Sequence, residues 1–124
     1  MKIKNIKIAI KSQAELFEEV KDVWGKIEEG AVVKKHEAIY FENLEAMRKV
    51  LTEERLRVLK TIKQNQPSSI YELAKILRRD VKNTFNDVQF LAGVGLIELK
   101  KSKQGREKTT PVVSYDRIRL EIAV

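Results

Sequence analysis

The feature that most constrains the fold is the stretch PSSIYELAKILRRDVKNTFNDVQFLAGVGLIEL, which contains two helix starts and two helix stops. Ser69 and Glu72 have the spacing of a capping box, and Pro67 discourages a helix from running in from the preceding segment. Asp80 is a second candidate N-cap. Two apolar stripes follow the caps at helical spacing: Ile70, Leu73, Ala74 and Leu77, then Val81, Thr84, Val88 and Leu91. The pattern predicts two short helices joined by a tight turn at residues 78–79.

The second of these helices carries a polar face that is suited to reading bases. Gly93 and Gly95 end it, and the residues opposite its apolar stripe are Lys82, Asn83, Phe85, Asn86 and Gln89. Asn and Gln side chains match adenine in the major groove, and Lys reaches guanine or phosphate. Two helices joined in this way are typical of a helix-turn-helix, which places its second helix in that groove. Two other interpretations stay open: the face is merely solvated, or Phe85 turns into the core.

A basic hairpin is predicted directly after the second helix. Residues 96–102 have the pattern of a strand, residues 103–106 that of a turn, and residues 107–115 that of a returning strand. Cations at the tip of a hairpin can lie along phosphates or enter the minor groove, as the wing of a winged helix does. The alternative is an ordinary hairpin whose lysines prevent edge-to-edge aggregation. The candidate phosphate contacts are Lys75, Arg78 and Arg79 near the inter-helix turn, and Lys100, Lys101, Lys103, Arg106 and Lys108 in the hairpin.

The net charge of the chain is concentrated around this motif. The 124 residues carry a formal charge of +7, with 25 Lys and Arg against 18 Asp and Glu. Residues 52–109 hold 13 Lys and Arg and 7 Asp and Glu, residues 1–51 hold 10 and 9, and residues 110–124 hold two of each. A basic excess confined to one segment indicates a polyanionic partner for that segment, bound by counterion release from phosphates. The expected partner is double-stranded DNA.

Composition excludes several other classes of function. The chain has no cysteine and one histidine, His36, so it has no thiolate chemistry and no Cys–His pair. Asp80 is interpreted as a helix cap and Asp87 as a surface charge, and no glycine loop that binds phosphate opens a helix. We therefore expect no enzymatic activity, no cofactor and no metal site. Because the sequence shows neither a signal peptide nor an apolar run of membrane-spanning length, we expect a cytoplasmic protein.

The N-terminal part is predicted to be a strand, a helix and a short strand. Charged and aliphatic residues alternate over 2–10, a helix over 12–29 follows the cap Ser12, and residues 36–41 form the second strand. Such a thin element cannot bury its helix alone, so the apolar face should pack on the rest of the chain or on a second copy. We expect a homodimer, with dimerisation residues Leu16, Phe17, Val20, Trp24 and Ile27. Phe17 and Trp24 could instead mark a ligand pocket, but a role in the core or in a subunit contact is the favoured interpretation.

The remaining elements define three regions. A short helix starts at Asn43, a helix over residues 53–64 begins after Thr52, and alternation over residues 117–123 predicts a terminal strand that can join the N-terminal sheet. The predicted domains are the dimerisation element at 1–42, a winged helix-turn-helix domain at 43–116, and a C-terminal strand at 117–124.

Three stretches carry a family resemblance: AIYFENLEAMRKVLTEERLRVLKTIK, SIYELAKILRRDVKNTFNDVQFLAGVGLIEL and PVVSYDRIRLEI. In this order they resemble a family of predicted archaeal MarR-like transcriptional regulators, and the tail and the RDVKN turn are the more specific parts. The chain differs from the usual pattern at Phe85 and at residues 92–95. The resemblance implies an α+β fold, a winged helix-turn-helix with a three-helix bundle and a β-hairpin wing, and sequence-specific DNA binding.

Two functions therefore remain in competition. The first is a transcriptional regulator whose recognition helix, at about residues 80–93, lies in the major groove while the wing at residues 100–108 grips phosphates or the minor groove. The second is a protein-interaction module or an antitoxin-like regulator, because winged helices also serve as scaffolds for protein partners.

Overall fold

The computed structural model describes residues 4–11, 33–35, 38–104 and 106–124. Within these ranges the fold is α+β, with four helices and two small sheets. The chain divides into two compact units, one formed by Met1–Leu51 with Tyr115–Val124 and the other by Thr52–Ser114. These bounds differ from the expected limits at residues 43 and 116, because a short helix and the terminal strand group with the N-terminal sheet. No helix within the described ranges has the length and apolar character needed to cross a membrane.

The first unit contains a four-stranded sheet in the order β2-β3-β1-β6. Its strands are β1 at Asn5–Ile10, β2 at Val33–Lys35, β3 at Ala38–Phe41 and β6 at Arg117–Ile122. β1 runs parallel to both β3 and β6, and β2 pairs antiparallel with β3. The alternation predicted a terminal strand that can join the N-terminal sheet, and β6 does join it beside β1.

One face of this sheet is buried because aliphatic residues occupy alternate positions on adjacent strands. Ile8 lies beside Ile39 in the β1–β3 register, and Ile10 lies beside Phe41. Ile8, Ile39 and Phe41 are almost completely buried. Helix α1, at Leu44–Val50, follows β3 and begins where the Asn43 side chain accepts a hydrogen bond from the Ala46 amide at 2.8 Å.

The predicted helix over residues 12–29 lies outside the described residues. This applies to its cap and to all five expected dimerisation residues, Leu16, Phe17, Val20, Trp24 and Ile27. The expected dimer interface on this helix therefore stays a prediction.

The second unit packs three helices around one core and follows them with a hairpin. The helices are α2 at Glu53–Asn65, α3 at Ile70–Leu77 and α4 at Val81–Gly93, and the hairpin strands are β4 at Glu98–Gln104 and β5 at Arg106–Val112. The core contains Val58, Leu59, Ile62, Leu73, Leu77, Val88, Leu91 and Leu96. Both predicted stripes are buried except at Val81, which is 42% exposed because it lies in the first turn of α4.

The start of α3 differs in detail from the predicted capping box. The Ser69 hydroxyl accepts from the Glu72 amide at 3.1 Å, as expected. The Glu72 carboxylate, however, accepts from the hydroxyl and amide of Ser68, at 2.6 and 3.4 Å, rather than from Ser69. Those hydrogen bonds, and to a smaller extent the charge of Lys108, hold the pKa of Glu72 below its usual range. The entry to α3 is therefore fixed by two serines.

Helices α3 and α4 end in the same hydrogen-bonded motif with different residues at its left-handed position. At the end of α4, the Leu96 amide donates to the Leu91 carbonyl at 2.9 Å and the Gly95 amide donates to Ala92 at 3.1 Å. Gly95 has φ 93°, a conformation that glycine adopts without steric cost. At the end of α3 the equivalent position is Arg78, with φ 56°. The second unit thus reaches α4 through a backbone conformation that is strained for arginine.

Candidate nucleic-acid interface

The exposed face of α4 contains every residue that the sequence predicted to contact bases. Lys82, Asn83, Phe85, Asn86 and Gln89 are all exposed, whereas Thr84, Val88 and Leu91 on the opposite side are buried. Phe85 is 46% exposed, so it has not turned into the core. Buried Thr84 donates its hydroxyl proton to the Asp80 carbonyl at 2.9 Å, which satisfies its polar atom. The face therefore presents amides, an ammonium and one aromatic ring along one side of α4.

The hairpin carries lysines on both of its faces. Lys100 lies opposite Thr110, Lys101 opposite Thr109 and Ser102 opposite Lys108. Because side chains alternate along a strand, Lys100 and Lys108 lie on one face and Lys101 on the other. These three lysines are exposed. Lys103 lies in β4 and Arg106 lies in β5. Because β4 ends at Gln104 and β5 begins at Arg106, the strands take up most of the turn predicted at residues 103–106.

The turn between α3 and α4 exposes two of the three predicted phosphate contacts. Lys75 and Arg78 are exposed, and the Lys75 ammonium lies 4.8 Å from the centre of the Tyr71 ring. Arg78 sits at the left-handed position of the helix end, where its amide donates to the Lys75 carbonyl at 3.2 Å. Glycine is the usual residue there because it has no Cβ to clash. A cation at this position exposes its charge at the entrance to α4 at a cost in backbone energy.

We expect Arg78→Gly to change stability and binding in opposite directions. Removing the left-handed strain should raise the free energy of unfolding by about 0.5–1 kcal/mol. Losing the guanidinium should weaken binding to duplex DNA if that group contacts phosphate. Urea denaturation and a DNA titration at fixed salt measure the two effects on one sample. Arg78→Ala is the control, because it removes the charge but retains the strain; equal DNA affinity of both variants and the wild type would exclude a phosphate contact.

Arg79, a predicted phosphate contact, is mostly buried and contacts carboxylates of the chain. Its Nη1 is 2.9 Å from Asp87 Oδ2, a charge contact without hydrogen-bond alignment, and 3.5 Å from Glu54 Oε2. The Arg79 side chain is 22% exposed and that of Asp87 is 18% exposed. The interpretation of Asp87 as a surface charge is therefore wrong, because its carboxylate is mostly buried and ion-paired.

Arg55 completes this cluster from α2. Its Nε lies 3.4 Å from Asp87 Oδ1, and its guanidinium stacks 4.3 Å from the centre of the Phe90 ring. Arg57, also on α2, donates to the Leu77 carbonyl at 2.9 Å and so satisfies a carbonyl at the end of α3. These contacts fix α4 and the preceding turn against α2. Sequence reasoning missed them because Arg55 and Asp87 are too far apart for a helical spacing rule to link them.

No metal site accompanies the interface within the described ranges. Groups of three or more His, Asp or Glu side chains placed to hold an ion do not occur there. A small cavity of about 230 Å³ lies at the end of α2, lined by Ile62, Pro67 and Thr110 among others. Thr110 Oγ1 donates to the Ser68 carbonyl at 2.8 Å at its edge, which ties β5 to the entry of α3.

One comparison with known proteins places the second unit in a family. A family model described as HVO_A0114 matches residues 50–120, a range that includes α2, α3, α4 and the hairpin. No curated protein matches the chain, and no solved structure does so either. Because the matched range covers more than half of the sequence, the chain belongs to the HVO_A0114 family.

Proposed function

We propose that the chain is a transcriptional regulator that binds double-stranded DNA in a sequence-specific manner. In this proposal the second unit is a winged helix-turn-helix of the MarR-like kind that the sequence resembles. α4 is the recognition helix, and the β4–β5 hairpin is the wing. The active form is a homodimer, since helix-turn-helix proteins commonly read two half-sites about 34–36 Å apart. A cytoplasmic location belongs to the same proposal.

The observation that carries the proposal is the composition of the exposed face of α4. Asn83, Asn86 and Gln89 project from the side opposite the buried stripe. Amide side chains can form two hydrogen bonds to the major-groove edge of adenine, and their helix is narrow enough to enter that groove. Lys82 adds a donor for guanine or phosphate at the start of the same face.

The surrounding cations supply the sequence-independent part of the affinity. Lys75 and Arg78 are exposed at the turn, and Lys100, Lys101 and Lys108 are exposed on the hairpin. Such groups hold the backbone phosphates and set the register of the recognition helix. Arg79 has a different task in this scheme, because its contacts with Asp87 and Glu54 hold the turn in place. It positions α4 rather than binding phosphate.

We expect Asn86→Ala to act at a single base position. The loss of a two-bond contact to adenine should cost about 1–3 kcal/mol at that position and leave discrimination at the others unchanged. The measurement is a fluorescence-anisotropy titration on the duplex that the wild-type protein enriches from a random pool, with each base pair substituted in turn. The titrations use one stated salt concentration because phosphate contacts depend on it.

Lys101→Ala and Lys60→Ala are the matched comparisons for this test. The first removes a wing lysine and should weaken all duplexes alike. The second removes an exposed lysine of α2 outside the proposed surface and should change nothing. Equal affinity of the wild-type protein for every duplex, or an unchanged specificity profile in Asn86→Ala, would contradict base recognition by α4.

A protein-interaction module is the second candidate, and exposed Phe85 favours it. An aromatic side chain that is 46% exposed is more typical of a protein interface than of a solvated helix. Phe85→Ser discriminates between the two functions. If Phe85 packs on a thymine methyl, the variant loses preference at one base step. If it anchors a protein partner, the variant keeps its DNA profile and loses a protein recovered with the wild-type chain from its native source.

A further inference from the structure

The outer edge of β6 is a candidate binding surface that is separate from the proposed DNA surface. Within the described part of the sheet, β6 has β1 on one side and no strand on the other. It is six residues long and contains no proline, and its charged residues Arg117, Arg119 and Glu121 alternate with apolar ones. The opposite edge, β2, is only three residues long and includes Lys34 and Lys35. In the described sheet β6 therefore offers the longer edge for pairing with another strand.

The side chains of β6 are apolar on one face of the sheet and charged on the other. Ile118, Leu120 and Ile122 continue the apolar face of β1, since Ile6, Ile8 and Ile10 lie beside them in the register. Leu120 and Ile122 are nonetheless 48% and 49% exposed. Arg119 and Glu121 point to the other face, where the Glu121 carboxylate lies 2.8 Å from the Lys7 ammonium. In the described part of the sheet the apolar layer thus continues to its edge, where two of its side chains are about half exposed.

From this edge we infer that a second copy of the chain pairs with β6 in antiparallel orientation about a two-fold axis at Leu120. In that register Ile118 lies opposite Ile122 of the partner subunit, and Leu120 lies opposite its own counterpart. Arg119 lies opposite Glu121 of the partner subunit, and the two-fold axis repeats this pair. Every apolar residue of the strand then meets an apolar one, and both central charges meet their opposite.

Registers with the two-fold axis at a neighbouring residue are less favourable than the register with the axis at Leu120. An axis at Arg119 places the two copies of Arg119 opposite each other, and an axis at Glu121 does the same with two carboxylates. A shift by a single residue places isoleucines opposite charges on the wrong face. Among these registers, only the axis at Leu120 pairs all three apolar residues with apolar ones and also pairs Arg119 with Glu121. The result is a continuous eight-stranded sheet across the two chains in the described elements.

This inference deepens the proposed function, because it names the partner surface of the dimer that would read a two-fold site. Its evidence lies in the first unit and makes no use of the basic surface. If the protein does not bind DNA, the proposed dimer through β6 can still form and be measured. A failure of the dimer leaves binding to a single half-site measurable.

The test is a charge swap on the full chain, followed by sedimentation velocity. We expect the wild-type protein to sediment at micromolar concentration with twice the 14.4 kDa mass of one chain. R119E places two carboxylates opposite each other at two positions, and E121R does the same with two guanidinium groups. Each should raise the dimer dissociation constant about ten-fold or more. An equimolar mixture of the two variants, or the double variant R119E/E121R, should restore the dimer.

Two controls keep folding separate from association. K60E makes the same charge change on α2 and should leave the dimer intact, while circular dichroism should show native helix and strand content in every variant. A monomeric wild-type protein overturns the inference. A dimer that survives R119E also overturns it. If the dimer is instead lost in Trp24→Ala, the interface belongs to the predicted helix at residues 12–29. Failure of the mixture and of the double variant to reassociate overturns the assigned register.

Discussion

Replacing Lys100, Lys101 and Lys108 together by Gln is expected to weaken DNA binding by roughly a hundred-fold near 0.15 M salt. Each phosphate contact contributes a slope of about 0.9 to the dependence of log affinity on log salt concentration. Three lost contacts should therefore lower the slope by about 2.7, and the loss in affinity follows from the counterions no longer released. All three side chains are exposed on the hairpin, so the core should be unaffected. Titrations of one duplex at several salt concentrations measure both quantities.

A second triple variant, Lys4, Lys49 and Lys60 to Gln, is the matched control for this prediction. It makes the same change in net charge at exposed positions outside the hairpin. If both variants lose affinity equally, the binding follows the overall charge and the hairpin has no special role. If the hairpin variant retains the wild-type slope, its lysines do not contact phosphate.

The second large effect is expected on stability, from Asp87→Ala. The carboxylate lies 2.9 Å from Arg79 and 3.4 Å from Arg55, and all three side chains are about one-fifth exposed. Its removal leaves two guanidinium groups close together without their shared counter-charge. Because breaking a fully buried pair costs about 3–5 kcal/mol and this one is partly solvated, we expect a loss of about 2–3 kcal/mol in the free energy of unfolding.

Urea denaturation of the single and double variants measures this coupling. Asp87→Ala combined with Arg79→Ala should cost less than the sum of the two single changes, because the two groups interact. Asp80→Ala is a useful comparison, since it removes an exposed carboxylate that caps the same helix and should cost about 1 kcal/mol. Additive losses for Asp87 and Arg79 would show that their contact does not hold α4.

Local rules were sufficient to predict the helices and the hairpin of the second unit. Caps, proline and apolar spacing depend on residues within one turn of one another, so α3 and α4 start at the predicted caps Ser69 and Asp80. The same rules predicted which side of α4 is exposed. They failed at Val81, because a residue in the first turn of a helix has fewer neighbours than its place on the stripe implies.

What the sequence did not predict depends on contacts between distant segments. Nothing in the spacing of Arg55, Arg79 and Asp87 shows that α2 brings them together, so the sequence alone predicts a surface charge at Asp87. The left-handed conformation of Arg78 could not be predicted either, because the sequence signal for it is a glycine and the end of α3 has none. Alternation predicted β1 and β6 as strands, but their parallel pairing is a property of the assembled sheet.

A selection experiment on random duplexes tests whether α4 reads base sequence. The wild-type protein and a variant with Asn83, Asn86 and Gln89 all changed to Ala are each used to enrich random duplexes at one stated salt concentration. We expect the wild-type protein to enrich a defined motif, and the variant, folded by circular dichroism, to retain weak binding and enrich none. The same motif enriched by both proteins, or no motif enriched by the wild type, would contradict this expectation.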